Sequence, residues 1–245
     1  FRTPVAEDFL DDQDDNFGGL FRTQQFTQNS SVATQGFLAF RKDQFSVMLG
    51  LAYRDGNESE NNGDVPPNPL EFDSLNLLSK FQWKIDDDNK LELTLEHFNR
   101  DRFVNALSAN QFTNIFDKSI LNWENQTRSR YSLSWDNQPV EYTSPLFDSL
   151  KSNLYYQASQ NSSKNKSESL TGRVRDQIIE FDTEILGFDT KFLKETQRHK
   201  LTYGLEASTS KSENRFYRED NGLPPFPNRV SFAPSNTNRV VTYIQ

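Results

Sequence analysis

Between Leu75 and His97 apolar side chains occupy every second position in two successive runs, with a short polar turn between them. In the first run Leu75, Leu77, Phe81, Trp83 and Ile85 share one face, and Asn76, Lys80, Gln82 and Lys84 share the other. After Asp86-Asp87-Asp88-Asn89 the alternation resumes, with Leu91, Leu93 and Leu95 set against Glu92, Thr94 and Glu96. A period of two puts successive side chains on opposite faces of a strand, and the Asp/Asn-rich break makes the pair a hairpin. The two faces must meet different solvents.

Composition narrows what those solvents are. Only 34% of the 245 residues are hydrophobic, yet the chain carries 21 Phe, 8 Tyr and 3 Trp. No run approaches the ~18 apolar residues of a spanning helix, so a membrane role requires a β-barrel or a surface binder. Barrel strands conceal their hydrophobicity, because half of their residues line a wet lumen. The net charge of −8 excludes nucleic-acid binding through a general basic surface. The absence of cysteine fits a chain that crosses an oxidising compartment unpaired. Phe1-Arg2-Thr3-Pro4 leads into the acidic run Asp11 to Asp15, with no apolar stretch of a signal peptide. Either the chain is not exported or its start has been removed.

The alternation predicts about ten strands: 17–26, 32–41, 44–54, 72–85, 90–99, 128–136, 148–159, 170–191, 200–210 and 239 to the end. The connections between them sort by length. Those at 41–43, 86–89 and 195–199 are short, whereas 55–71, 101–127, 160–169 and 211–238 are long and polar. Gln28 to Ser31 is short where a long loop is expected, and Asn137 to Phe147 is long for a turn. Tight turns at one end and extended loops at the other characterise an antiparallel transmembrane β-barrel, with the turns periplasmic and the loops extracellular.

Other strands repeat the two-faced pattern. Phe45, Val47, Leu49, Leu51 and Tyr53 oppose Ser46, Met48, Gly50, Ala52 and Arg54; Tyr131, Leu133 and Trp135 oppose Arg130, Ser132 and Ser134. Lys80, Lys84, Glu92, Glu96, Arg128 and Arg130 are the expected lumen-lining residues. A sheet in lipid cannot leave open edges, so about ten strands are expected to be part of a larger barrel. The expected division is a linker over residues 1–16 and a partial barrel over 17–245.

Several segments resemble a known family. Arg2-Thr3 with Glu7-Asp8-Phe9-Leu10 and Phe17-Gly18-Gly19 is similar to the segment that follows the plug in TonB-dependent outer-membrane receptors of the haemoglobin/haem group. Tyr53-Arg54-Asp55-Gly56-Asn57, Leu77-Leu78-Ser79-Lys80 leading to Asp87 through Leu93, and Phe232-Ala233-Pro234-Ser235 before Val241 through Gln245 resemble the first barrel half of the same family. The resemblance implies a bacterial outer-membrane location and a plugged barrel of about 22 strands. The resemblance alone implies that the linker over residues 1–16 follows a plug domain outside this chain. It also implies an inner-membrane TonB complex as partner, reached through the N-terminal region, and haem or a ferric chelate as transported ligand. The family's haem motifs of the Phe-Arg-Ala-Pro and Asn-Pro-Asn-Leu type do not occur here.

Candidate chemistry is sparse. Histidine and tyrosine can ligate haem iron; His97 continues the outward set of its strand, His199 falls in a turn, and Tyr217 falls in a long segment. Asp86 to Asp88 lacks the spacing of a calcium loop and reads as a hairpin turn. Glu92 and Glu96 read as lumen lining, since Thr94 lies between them on the same face. Asn-x-Ser/Thr triplets at Asn29, Asn57, Asn125, Asn161 and Asn165 follow from Asn/Ser-rich composition. No nucleophile triad, metal cluster or phosphate loop stands out, so no enzyme activity is expected.

The expected function is uptake of haem or haem-protein iron. A siderophore-iron receptor of the same fold, a passive porin and a soluble extracellular β-rich module are the alternatives. Recognition is expected on the long loops, with Arg102, Phe103, Phe112, Phe116, Trp123, Phe216, Tyr217 and Phe226 as ligand-capture candidates, because aromatic residues and Arg are enriched at binding surfaces.

Overall fold

The computed structural model describes residues 3–10, 16–57, 68–106, 116, 118–139, 144–221 and 229–244, with side chains described outside 229–232. They form one sheet of ten antiparallel strands in sequential order. The strands are β1 (Phe17–Phe26), β2 (Ser31–Lys42), β3 (Phe45–Asn57), β4 (Leu70–Lys84), β5 (Asn89–Asn105), β6 (Ser119–Asn137), β7 (Ser149–Glu168), β8 (Val174–Glu195), β9 (Lys200–Asp220) and β10 (Arg229–Ile244). Among the described residues β1 and β10 are edges and do not pair with each other.

Strand number and order agree with the sequence pattern, and so do most of the strand ends at the short turns. The opposite ends differ. β5, β6, β7 and β9 run on to Asn105, back to Ser119, on to Glu168 and on to Asp220, so much of what reads as loop is strand. Segment 160–169 is not a long loop: β7 continues through it, and only 169–173 connects to β8. The cause lies on the outer face, where Gln160, Ser162, Lys164, Asp182, Glu180, Lys211 and Glu213 replace the apolar positions below them. With both faces polar the period of two has no contrast to display.

Register defines the faces. Leu75, Leu77, Phe81 and Trp83 of β4 lie beside Asn99, His97, Leu93 and Leu91 of β5, and Leu93 lies beside Leu133 of β6. Leu133 is flanked in turn by Leu154, and Leu154 by Phe188. Leu49, Leu51, Phe81, Leu133, Leu154 and Leu186 are all exposed, so this outer face is an uncovered apolar belt. From Leu75 to Trp83 it runs about 27 Å along the strand at ~3.4 Å per residue. At a tilt of ~40° that is about 21 Å of height, close to the ~25 Å apolar band of membrane barrels.

The inner face is covered at one end by residues 3–10, which pass across β1 to β4. Ala6 and Leu10 bury against Ala39 and Met48, and Phe9 stacks on Phe37 at 4.9 Å between ring centroids. Glycine is needed beneath this segment: a Cβ on Gly18 would collide with the Phe9 carbonyl oxygen. The short turns are locally determined. Asp43 adopts φ 52° between β2 and β3, a left-handed conformation that Asp tolerates. Between β4 and β5 Asp86 Oδ1 accepts from the backbone N–H of Asp88 at 2.9 Å and of Asn89 at 2.7 Å.

Candidate functional site

The inner wall is built in tiers that run perpendicular to the strands, because each register pair sets equivalent side chains side by side. In the lowest tiers polarity is satisfied within the wall. Lys80 Nζ meets Glu92 Oε1 at 3.2 Å with the lysine side chain 5% exposed. Gln82 Nε2 donates to Glu92 Oε2 at 2.7 Å and Thr94 Oγ1 donates to Glu92 Oε1 at 3.2 Å. Ser46 Oγ donates to Gln82 Oε1 at 2.9 Å. Lys80 and Glu92 therefore share the face opposite the apolar belt and are joined in an ion pair. Lys84 shares that face but pairs with Asp87 in the turn at 3.2 Å.

Higher up the wall is basic. One tier runs Arg54, Ser74, Arg100, Gln126, Asn161, Phe181 across β3 to β8. The tier below includes Asn76, Phe98 and Arg128, and the next includes Leu78, Glu96 and Arg130. Arg128, Arg130 and Glu96 thus share the face that carries Lys80 and Glu92. Arg54 lies over the rings of Phe26 and Phe72 at 5.0 and 5.4 Å, Arg100 over Phe72 at 5.9 Å, and Arg130 over Tyr155 at 4.8 Å. Arg102 is paired with Glu124 at 3.3 Å. A cavity of about 270 Å³ is lined here by Arg100, Arg102, Gln126, Asn161, Ile179 and Phe181.

Five of the capture candidates lie on strands, not in loops, and divide between the faces. Arg102 and Phe216 are on the inner face, whereas Phe103, Trp123 and Tyr217 face outward above the apolar belt. Phe103 and Trp123 pack together at 5.3 Å. Phe112 and Phe226 lie outside the described residues. Phe116 is 5% exposed and lies beneath Arg175 and Arg173 at 4.4 and 5.5 Å, so packing accounts for it more directly than ligand contact.

Sequence reasoning missed the centre of that packing. Asp220, with a side chain 2% exposed, accepts from Arg173 at 2.8 and 3.0 Å, from Arg175 at 3.2 Å and from Arg218 at 3.2 Å. The four residues are brought together only by the β8–β9 register, and no local motif signals them. His97 faces outward, bonded to Ser129 Oγ at 3.0 Å, and His199 lies in the β8–β9 turn. Two turn carboxylates are held below their ordinary pKa: Asp86 by the Asn89 amide, and Asp148 by the Lys194 ammonium. Among the described residues no group of three or more acidic, His or Cys side chains could hold a metal ion.

Comparison with solved structures identifies the architecture. The chain superposes on the ferric yersiniabactin uptake receptor FyuA from Yersinia pestis with a TM-score of 0.62 at 12% identity, covering 95% of this chain and 40% of that one. It superposes on the ferric citrate transporter FecA in its unliganded form with a TM-score of 0.51 at 10% identity, covering 94% of this chain and 36% of that one. The fold is a segment of β-barrel wall. The chain spans about 40% or less of the length of these two structures. No protein-family model matches it, and no curated protein matches it in sequence.

Proposed function

We propose that the chain forms ten strands in the barrel of a TonB-dependent outer-membrane receptor that imports a ferric chelate. The observation that carries the reading is an apolar belt close in height to the apolar band of membrane barrels, on the outside of a sheet that follows the walls of an iron-chelate uptake receptor and a ferric citrate transporter. A soluble β-rich module exposing such a belt would associate through it, which disfavours that alternative. Strands β1 to β10 are the wall. Residues 3–10, running along its inside, fit a linker next to an N-terminal plug and favour an occluded barrel over a passive porin.

Between the two ligand classes the geometry favours a siderophore-type chelate over haem. Both histidines lie away from the inner wall, His97 toward lipid and His199 at the periplasmic end. The energy source in this reading is the TonB complex, and the recognition surface comprises the upper inner wall and the connections above it. The test is import of iron-labelled chelates by iron-starved cells expressing the full-length protein, with and without a functional TonB system. Import that needs both supports the reading, and import that persists without TonB rejects it in favour of a porin.

A further inference from the structure

We infer that the arginine tiers on the inner face of β3, β5 and β6 form a subsite for the carboxylates of a polyanionic iron chelate; this rests on the receptor reading above. The argument begins with charge. The chain as a whole is at −8, yet the tiers from Glu96–Arg130 up to Arg102–Glu124 set five arginines against two carboxylates on one face. Only Arg102 has its acidic partner in contact; among the described residues Arg54, Arg100, Arg128 and Arg130 make no ion pair. Elsewhere on the same wall several cations are neutralised, Lys80 by Glu92, and Arg173, Arg175 and Arg218 by Asp220, whereas Lys151 and Lys191 stand opposite each other in register without an ion pair among the described residues.

Three of these guanidiniums lie over aromatic rings, Arg54 also donating through Nη2 to Ser31 Oγ at 3.1 Å, while Arg128 has neither an ion pair nor a ring contact among the described residues. Arg54 on Phe26 and Phe72, Arg100 on Phe72 and Arg130 on Tyr155 are fixed through the flat faces of their side chains. A stacked guanidinium keeps its in-plane N–H donors for another acceptor, and its fork matches a carboxylate in two parallel hydrogen bonds. The group is thus oriented in advance while its charge is left uncompensated. Were the arginines structural, cross-strand carboxylates at Ser74, Asn76 or Gln126 would pair them at no cost in space, and those positions are neutral. Three strands along the tier from Arg100 the wall turns apolar at Phe181, with Ile179 in the next tier, and both line the same cavity together with Glu124. The complementary ligand carries several carboxylates on one side and hydrocarbon on another.

The experiment measures equilibrium binding to the purified full-length receptor in detergent. The probes are ferric citrate and iron protoporphyrin as carboxylate-bearing chelates and a ferric trihydroxamate as one without carboxylates. The wild-type protein is expected to bind at least one carboxylate chelate more tightly than the hydroxamate, with affinity falling as salt rises. The double variant Arg100→Gln/Arg128→Gln is expected to weaken that binding about ten-fold or more while leaving the hydroxamate unchanged. Equal binding of both classes, or an unchanged Kd in the double variant, overturns the proposal. So does a variant whose only change is a lower unfolding temperature, since the arginines would then hold the wall. Binding that follows the expected pattern without TonB-dependent import would sink the receptor reading and leave the subsite standing.

Discussion

Replacing Lys80 with Met isolates the polar network of the lower wall. Lys80 and Glu92 stand 3.2 Å apart, the lysine side chain 5% and the glutamate side chain 20% exposed. At an effective dielectric of ~20 their attraction is about 5 kcal/mol. Met keeps the stem that covers this part of the wall but removes the charge, so Glu92 is left with Gln82 and Thr94 as donors. Those two bonds recover part of the loss, and the expected net cost is about 2–4 kcal/mol, in the range for breaking one side of a buried pair. Adding Glu92→Gln removes the stranded charge, and the double variant is expected to regain most of that loss. Urea unfolding of the full-length protein in detergent, followed by tryptophan fluorescence, gives the three differences. A Lys80→Met cost below about 0.5 kcal/mol, the level of an exposed pair such as Lys84–Asp87, would refute the claim that this ion pair is part of a desolvated wall.

Three further outcomes follow from the same structure. Leu133→Arg in the outer belt is expected to cost about 2–4 kcal/mol in the same unfolding assay, whereas Ser132→Arg on the adjacent inner position is expected to cost much less; equal costs would remove the distinction between faces. Gly18→Ala is expected to displace residues 6–10 from β1, seen as faster amide exchange in that segment with the strands unchanged, because the added methyl meets the Phe9 carbonyl. Asp148 has a folded-state pKa below its unfolded value of ~3.9, so its stabilisation is present above that value and is lost as pH falls through the folded pKa. Asp148→Asn is therefore expected to be less stable than wild type at pH 7 and to converge with it on acidification below about pH 4, and a constant gap down to the lowest pH would contradict the assignment.

How far the sequence could be read depended on height in the wall. Beside the belt, lipid on one side and water on the other force apolar residues onto alternate positions, and the β4–β5 hairpin from Leu75 to His97 was legible to within a residue or two. Higher up, Ser162 and Lys164 face outward while Asn161 and Ser163 face inward, and nothing in composition separates the two sides. That is why β7 was ended early, and why Arg102, Phe103, Trp123, Phe216 and Tyr217 read as loop residues. That Lys80 and Glu92 each lie opposite the apolar set of their own strand, as do Arg128 and Arg130 of theirs, follows from parity alone. Their partners do not, because Lys80–Glu92 and Arg130–Tyr155 depend on register between strands. The Asp220 cluster illustrates the same limit: Arg173, Arg175 and Phe116 are distant from it in sequence and converge only in the folded sheet.

The central claim is that one face of this sheet meets lipid and the other water, up to a fixed height. These 245 residues contain no cysteine, so single cysteines placed along β6 report their surroundings once any cysteine elsewhere in the full-length protein has been replaced by serine. In outer membranes containing the full-length protein, a membrane-impermeant maleimide applied from both sides is expected to label cysteines at the inner positions 130, 132 and 134 and to spare those at 131, 133 and 135. At 123–127 it is expected to label both parities, because the outer face there has risen out of the bilayer. Labelling without alternation from 130 to 135, or alternation continuing to 123, would contradict the account.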